Sequence, residues 1–192
     1  MVALTKEQYK NIIGVMRQGF KNGDKEFRGN NRIATILVIQ ANLGLRIGDL
    51  LELRLNDIIN DGDRYRLNII EDKTDKKRTF TVPKEIYNYI KMYTLENGIK
   101  STSKIFDITV RSVQKQLKFV TQYLNFQNIS THSFRKYFAT QIYINNNYNV
   151  ALVRELLQHS DLKTTQKYIN IGTETIEKAL NNHIQLLWNL NH

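Results

Sequence analysis

The sequence predicts a mainly α-helical domain with a small antiparallel β-sheet, which is an α+β fold class. Most segments carry apolar residues three or four positions apart, the spacing of a helix with one buried face. Residues 65–69 and 80–82 instead alternate apolar and polar residues, as strands do. The 192 residues are 41% apolar, which is enough for one domain with a sizeable core. We therefore expect a single domain over residues 1–192.

The first part of the chain predicts two helices separated by a polar loop. Thr5 followed by Gln8 has the pattern of a capping box and opens the first helix. Residues 18–31 are polar and glycine-rich, so we expect a solvated loop there. Residues 32–42 form a helix that is apolar on nearly every side, and Gly44 can end it in the left-handed conformation.

Arg46 lies at a break between two buried helices, since a further helix resumes at residues 50–53. Asp49, three residues on, is the obvious ion-pair partner. An arginine at such a junction is either a structural ion-pair partner or a group that acts on a substrate. The two readings are compatible, because an acidic neighbour can orient a working guanidinium.

Two short strands are predicted after the turn at residues 60–63, one over 65–69 and one at 80–82. The segment that joins them, residues 71–78, carries four basic side chains. These are Lys73, Lys76, Lys77 and Arg78. Such a charged hairpin loop is either a solvated turn that protects a sheet edge or a loop that inserts into a groove of DNA.

Two more helices follow. Pro83 opens one that runs to Gly98, and Thr109 can cap the next. The second helix has an apolar face and a basic surface, formed by Arg111, Lys115 and Lys118. That surface is either a plain solvated face or a set of phosphate contacts.

The next helix carries two side chains suited to binding an anion. Ser130 or Thr131 can cap it, and Phe134, Phe138 and Ile142 form its apolar seam. His132 and Arg135 lie three residues apart on a neighbouring face. An imidazole and a guanidinium placed side by side can grip one phosphate from two sides.

The last part of the chain offers a histidine and a tyrosine close together. Residues 150–158 predict a helix, His159 follows it, and Tyr168 lies on a short helix capped by Ser160 or Asp161. From residue 172 a final amphipathic helix begins. Its apolar stripe either covers its own domain or docks on another subunit.

The charge of the chain favours a polyanionic partner. Lysine and arginine number 28 against 18 acidic residues, a formal charge of +10, and the pI is near 9.7. Without cysteine, disulfides and thiolate sites are excluded. No apolar run is long enough to span a membrane and no secretory signal is visible, so we expect a cytoplasmic protein. The sequence contains no Walker loop, dinucleotide fingerprint or carboxylate cluster for a metal.

The candidate residues form an ordered set with a chemical logic: Arg46, Lys73, His132, Arg135, His159 and Tyr168. Attack of a tyrosine on a phosphodiester forms a phosphotyrosine and expels a 5′ hydroxyl, which keeps the bond energy for resealing without ATP. Two arginines can stabilise the charge of the transition state in place of a metal ion. Histidines can shuttle the phenol proton, and a lysine can protonate the leaving oxygen.

These motifs resemble those of the tyrosine recombinases, the phage integrase family. The matching stretches are residues 43–53, Lys73, residues 131–135, and residues 156–161 with Tyr168. The resemblance implies the mainly helical catalytic-domain fold of that family with its small antiparallel sheet. The chain departs from the usual pattern at Lys136, where a second histidine is common, and at Gln158, where glycine is usual.

The resemblance also implies a role for each residue. Arg46 and Arg135 clamp the scissile phosphate, and Asp49 supports the first of them. His132 and His159 assist, Lys73 is the general acid, and Tyr168 is the nucleophile. We expect Lys76, Lys77, Arg78, Arg111, Lys115 and Lys136 to contact DNA.

The implied activity is site-specific recombination of double-stranded DNA, without cofactor or metal. A homotetramer on DNA would form through the last helix, with a monomer in the absence of DNA. Only a few dozen residues precede the first motif, so the N-terminal clamp domain of most members is expected to be absent. The chain then resembles either a catalytic fragment or the single-domain fimbrial phase-variation recombinases.

Two alternatives stay open. A type IB topoisomerase has a similar active site, although the small size and the motif strings favour an integrase. A DNA-binding regulator could use the same fold without turnover, although it would have no use for all six candidate residues.

Overall fold

The computed structural model describes residues 2–23, 25–70, 77–157, 165–166 and 169. Helices dominate these ranges, accompanied by two small antiparallel sheets, so the predicted fold class is confirmed. None of the helices in these ranges combines the length and the apolar character needed to cross a membrane.

The N-terminal helices pack as a pair. Their bounds, with those of the short elements that follow, are α1 Lys6–Gln18, α2 Asn31–Leu43, α3 Ile47–Glu52 and a 3-10 turn at Leu55–Asp57. The predicted capping box opens α1: the Thr5 hydroxyl accepts from the Gln8 N–H (3.1 Å), and the Thr5 N–H donates to the Gln8 side chain (3.0 Å). α2 is buried on nearly every side, as its apolar sequence predicts.

The segment predicted as a loop, residues 18–31, contains a β-hairpin. Strand β1 spans Gly19–Asn22 and pairs antiparallel with β2, Lys25–Arg28. Phe20 and Phe27 lie directly opposite each other, and their rings stack with centroids 4.9 Å apart. The loop prediction is wrong because one cross-strand aromatic pair supplies the apolar face that a hairpin this short requires.

The second sheet has the order β3-β4-β5, with β3 at Ile58–Asp61, β4 at Arg64–Ile70 and β5 at Lys77–Val82. The predicted turn joins β3 to β4, with Gly62 at φ +63°. The sequence predicts only the later two strands. β3 is missed because only Ile58 of its four residues is buried, so it shows no alternation.

Four helices form the C-terminal half of the described chain. They are α4 Lys84–Glu96, α5 Val110–Tyr123, α6 Thr131–Asn145 and α7 Val150–Leu157. Thr109 caps α5 and Ser130 caps α6, each through its side-chain oxygen, as the sequence predicts.

Helix α6 joins two clusters of buried side chains. Phe134 belongs to the main core, which also contains the apolar faces of α1, α2, α4 and α5. One turn later, Phe138 belongs to a smaller cluster with Val153 and Leu157 of α7 and with Ile169. Arg135 lies on the same helix between these two phenylalanines and is itself fully buried.

Candidate active site

The turn between α2 and α3, residues 44–46, is called the Arg46 turn below. It passes directly against α6. Gly44 takes the left-handed conformation (φ 61°, ψ 20°), and its N–H donates to the carbonyl of Gln40 (2.9 Å). A methyl group at this position would overlap the ring of Phe138 on α6. Glycine is thus needed both for the backbone conformation and for the close approach of the two elements.

Arg46 begins α3 and pairs with a carboxylate of the same helix. Its backbone is extended (φ −65°, ψ 147°), and its side chain is 25% exposed. Nη1 lies 3.9 Å from Oδ2 of Asp49, whose side chain is only 5% exposed. At that distance the ion pair is electrostatic and not a direct hydrogen bond. Asp49 therefore lies beside a guanidinium that still reaches the surface.

The start of α6 is fixed by reciprocal hydrogen bonds around His132. The hydroxyl of Ser130 accepts from the His132 N–H (3.2 Å), and the Ser130 N–H donates to the hydroxyl of Ser133 (3.2 Å). His132 is half-buried in this first turn. Its imidazole thus extends from a backbone whose position is set by the cap.

Arg135 is fully buried, and its guanidinium binds main-chain carbonyls from two other segments. Nη1 donates to the carbonyl of Gly44, and Nη2 donates to the carbonyl of Leu157 (3.0 Å). The sequence suggests a more open position beside His132. It does not reveal the burial, because the two carbonyls lie 91 and 22 residues away along the chain.

The bonds of Arg135 connect three of the predicted motifs. Gly44 precedes Arg46 by two residues, and Leu157 precedes His159 by two residues. A guanidinium is planar and presents its donors in a fixed fork, so bonds to both carbonyls set the spacing between these two segments. The structure therefore brings the Arg46 turn and the end of α7 to one side chain on α6.

The structure describes Arg46, His132 and Arg135 of the predicted catalytic set, together with Asp49, the predicted support of Arg46. Lys73, His159 and Tyr168 lie outside the described residues. Ile169, which follows Tyr168 in the sequence, is buried at 8% exposure and packs in the cluster of Phe138 and Leu157. The described members of the set and Ile169 thus gather around α6.

The predicted DNA-binding residues are distributed over three elements. Arg111 and Lys115 are exposed on α5, and Lys136 is half-buried on α6. For Lys77 and Arg78 the structure describes only the backbone, in β5, and Lys76 lies outside the described residues. The ammonium of Lys115 lies 6.0 Å from the centroid of the Phe119 ring on the same helix.

Two stacked tyrosines, Tyr9 on α1 and Tyr137 on α6, are poorly suited to act as nucleophiles. Tyr9 stacks on Tyr137 with ring centroids 5.0 Å apart. Burial, together with the neighbouring Tyr137 and Tyr89, raises the pKa of Tyr9 to about 12. Burial also raises the pKa of Tyr137. A raised pKa disfavours the phenolate, the form that attacks.

Gln40 contacts the Arg46 turn and is not among the site residues that the sequence predicts. Gln40 is 1% exposed, and its Nε2 donates to the carbonyl of Leu45 (3.2 Å). A signal was available, because Gln40 is the single amide side chain in the apolar stretch of residues 33–41. A lone buried amide in such a helix needs a hydrogen-bond partner.

The part of the chain that the structure describes contains no group of three His, Asp or Glu side chains that could hold a metal ion. Arg46 pairs with the buried carboxylate of Asp49, and the buried guanidinium of Arg135 binds the Gly44 carbonyl two residues before Arg46. Guanidinium groups bind phosphate and carboxylate oxygens through several hydrogen bonds at once. The arrangement is suited to binding an anion.

Comparison with known proteins gives a consistent result. A family model described as the phage integrase family matches residues 3–174. The tyrosine recombinase XerC of Caldanaerobacter subterraneus subsp. tengcongensis is 28% identical over an alignment of 192 positions, which covers 94% of this chain and 50% of XerC. The probable integrase/recombinase YoeC of Bacillus subtilis is 30% identical over 155 residues, which cover 78% of this chain and 83% of YoeC.

The solved structures agree on the fold. A crystal structure of the XerH site-specific recombinase matches with a TM-score of 0.73 at 19% identity, covering 93% of this chain and 52% of XerH. The chain thus spans about half the length of XerC and of XerH. Because the family model covers most of the chain, the resemblance inferred from the motifs is confirmed, and the chain belongs to the phage integrase family.

Proposed function

We propose that the chain is the catalytic part of a site-specific DNA recombinase. It cuts and rejoins double-stranded DNA through a covalent 3′-phosphotyrosine intermediate, without a metal ion or ATP. Tyr168 is the nucleophile, Arg46 and Arg135 bind the scissile phosphate, and Lys73 is the general acid. His132 and His159 assist in binding and in proton transfer.

The observation that carries this proposal is the bridge formed by Arg135. Its guanidinium donates to the carbonyls of Gly44 and Leu157, next to the two segments that bear Arg46 and His159. A guanidinium has five N–H donors, so it can bond main-chain carbonyls and phosphate oxygens at the same time. Ile169 is buried in the smaller cluster with Phe138 and Leu157, which supports a site that also includes the neighbouring Tyr168.

The proposed reaction has two balanced steps. In the first, Oη of Tyr168 bonds to phosphorus while the bond from phosphorus to the 5′ oxygen breaks. The phenol proton passes to a histidine, and the 5′ oxygen takes a proton from Lys73 and leaves as a hydroxyl. In the second, the 5′ hydroxyl of another strand attacks the phosphotyrosine and gives its proton to Lys73, while the bond from phosphorus to the phenol oxygen breaks and this oxygen takes back the proton held by the histidine. The number of phosphodiester bonds is unchanged, so no ATP is consumed.

The two arginines provide the electrostatic part of catalysis. Negative charge grows on the non-bridging oxygens of the phosphate in the transition state, and fixed cationic donors stabilise it. Asp49, buried 3.9 Å from Arg46, orients that guanidinium. A permanently charged guanidinium thereby stabilises negative charge that other phosphoryl-transfer enzymes stabilise with a metal ion.

The proposed substrate follows from charge and from family membership. The chain carries a formal charge of +10, and the XerH structure holds a palindromic difH substrate in a post-cleavage complex. We assign phosphate contacts to the exposed Arg111 and Lys115, to Lys136, and to the hairpin residues Lys76, Lys77 and Arg78. Binding should therefore weaken steeply as salt is raised. A homotetramer on DNA would form through the last helix.

A nicked suicide duplex tests the mechanism. The duplex carries inverted repeats taken from the DNA that flanks the coding region, with a nick that lets the cleaved end diffuse away. We expect the chain to form a covalent protein–DNA adduct, because the released end cannot return to reseal the strand. Tyr168→Phe should bind the same duplex and form no adduct. Tyr148→Phe, which changes an exposed tyrosine, is the matched control and should form the adduct normally.

The outcomes separate the alternatives. An adduct formed by Tyr168→Phe would show that another residue is the nucleophile. An adduct that relaxes supercoiled DNA but never exchanges strands would favour a type IB topoisomerase. Binding without any adduct from the unmodified chain would favour a DNA-binding regulator.

A further inference from the structure

We propose that Gln40 is a positioning residue for Arg46. Its buried amide fixes the turn between α2 and α3 in the conformation that presents the Arg46 guanidinium to the phosphate. This inference rests on the proposed function, because it concerns the same phosphate site. Gln40 itself contacts the turn and not the substrate.

Gln40 binds the turn through both its backbone and its side chain. The carbonyl of Gln40 accepts from the Gly44 N–H (2.9 Å), and this bond closes the last turn of α2. The side chain extends past that end, where Nε2 donates to the carbonyl of Leu45 (3.2 Å). The acceptor is the residue directly before Arg46, so the peptide bond that leads into Arg46 is held by Gln40.

A second buried side chain binds the neighbouring carbonyl of the same turn. Nη1 of Arg135 donates to the carbonyl of Gly44, one residue before Leu45. Two successive carbonyls are therefore bound by side chains that are 0% and 1% exposed, Arg135 and Gln40. Both peptide planes that precede Arg46 are fixed from the core, and the direction of the Arg46 side chain depends on them.

Stability alone does not explain a glutamine here. In the described part of the chain, Oε1 of Gln40 is buried without a hydrogen-bond partner, an arrangement that opposes folding. An apolar side chain of similar size would fill the same space without that oxygen. What it would lack is the donor for Leu45, and the position of the turn is the property that depends on this donor.

A small movement of the turn is sufficient to slow the reaction. Displacing a catalytic group by about 1 Å can reduce the rate by about a hundredfold. Without the amide donor, the carbonyl of Leu45 loses a fixed partner and the turn gains freedom. We expect Arg46 then to meet the phosphate less often in the productive geometry, with little change in the affinity for DNA.

The test is Gln40→Met, which keeps an unbranched side chain of similar volume. The full chain is assayed for adduct formation in a single turnover, for DNA affinity and for its thermal unfolding midpoint. We expect adduct formation to slow by about tenfold or more. DNA affinity and the midpoint should change little, because one unpaired buried oxygen replaces another. Thr94→Val is the matched control, since it removes a hydrogen bond from another side chain at 1% exposure, on α4 (2.8 Å to the Lys91 carbonyl).

A second substrate separates positioning from a general weakening of the fold. A methylphosphonate at the scissile position has no charged non-bridging oxygen, so the placement of a cation matters less for its cleavage. We expect Gln40→Met to approach the rate of the unmodified chain on this substrate. If Gln40→Met does not fold, Gln40→Asn replaces it in the test. This variant keeps an amide but is one methylene too short to reach Leu45, so it should also slow adduct formation.

Several results would overturn the inference. Adduct formation by Gln40→Met at the rate of the unmodified chain would show that the amide does not position Arg46. An equal rate loss on both substrates, or a rate loss that parallels a fall in the unfolding midpoint, would assign Gln40 a purely structural role. Failure of the unmodified chain to form any adduct would instead reject the proposed function. The unmodified chain is therefore assayed before any Gln40 variant.

Discussion

Arg46 and Arg135 are assigned to the same phosphate, yet their side chains lie in opposite surroundings. The side chain of Arg46 is 25% exposed and pairs with Asp49 at 3.9 Å. Arg135 is 0% exposed and donates to main-chain carbonyls of two other segments. Arg46 follows a buried turn and its guanidinium reaches the surface, whereas Arg135 is part of the packing between α6, α7 and that turn.

The two arginines therefore differ in their structural role, although the motif pattern assigns both of them only to phosphate binding. A partly exposed guanidinium such as that of Arg46 can be replaced by another cation with little effect on folding, because the charge beside Asp49 is kept and water replaces the lost contacts. A guanidinium that satisfies buried carbonyls cannot, since its loss leaves those oxygens without partners. Arg135 thus contributes to the assembly of the site as well as to its charge. Three predictions test the contrast, beginning with the largest expected effect.

Arg135→Lys should lower the free energy of unfolding by about 2–4 kcal/mol, because one ammonium cannot reproduce the planar fork that bonds both carbonyls. Urea unfolding followed by circular dichroism measures this change, and adduct formation should drop steeply as well. Arg46→Lys is the matched variant. It should change the free energy of unfolding by no more than about 0.5 kcal/mol while still slowing adduct formation. Equal destabilisation by the two substitutions would remove the contrast.

Gly44→Ala should lower the free energy of unfolding by about 2 kcal/mol. The left-handed conformation alone costs a side chain about 1–2 kcal/mol, and the new methyl group would overlap the ring of Phe138. Gly48→Ala is the control, because nothing lies within 4 Å of a methyl group built at this residue of α3. That variant should be neutral or slightly more stable, since alanine favours helices. A neutral Gly44→Ala would show that the turn does not press against α6.

Tyr9→Phe should have the smallest effect, confined to alkaline pH. Tyr9 packs on Phe134 and Tyr137 of α6, and burial raises its pKa from 10.0 to about 12. Because the folded pKa is above the unfolded one, the stability from the neutral phenol is complete below pH 10 and is lost as pH rises from 10 to 12. The thermal unfolding midpoint of the unmodified chain should therefore fall more steeply over this range than that of Tyr9→Phe. Parallel curves would contradict the burial of this side of α6.

The elements that could be predicted are those encoded by short-range patterns. The capping box at Thr5, the caps at Thr109 and Ser130, and the left-handed Gly44 all depend on residues within about four positions of each other. The same is true of the motif strings that led to the family. These features were recognised because both partners of each interaction lie in one stretch of sequence.

The elements that were missed depend on partners elsewhere. The hairpin of β1 and β2 was hidden because its apolar face is a single pair, Phe20 with Phe27, contributed by two strands. Strand β3 was hidden because it pairs with β4 while burying only one residue, Ile58. Gln40 was overlooked because its acceptor lies beyond the end of its own helix.

Composition and local patterns were sufficient to establish the class of fold, the excess of positive charge, the helix caps and the candidate site residues. The burial of Arg135, and the binding of successive carbonyls of the Arg46 turn by Gln40 and Arg135, are visible only in the folded chain. They could not be predicted because main-chain carbonyls are the same in every residue. No side-chain pattern marks which of them will meet a buried donor once the chain has folded.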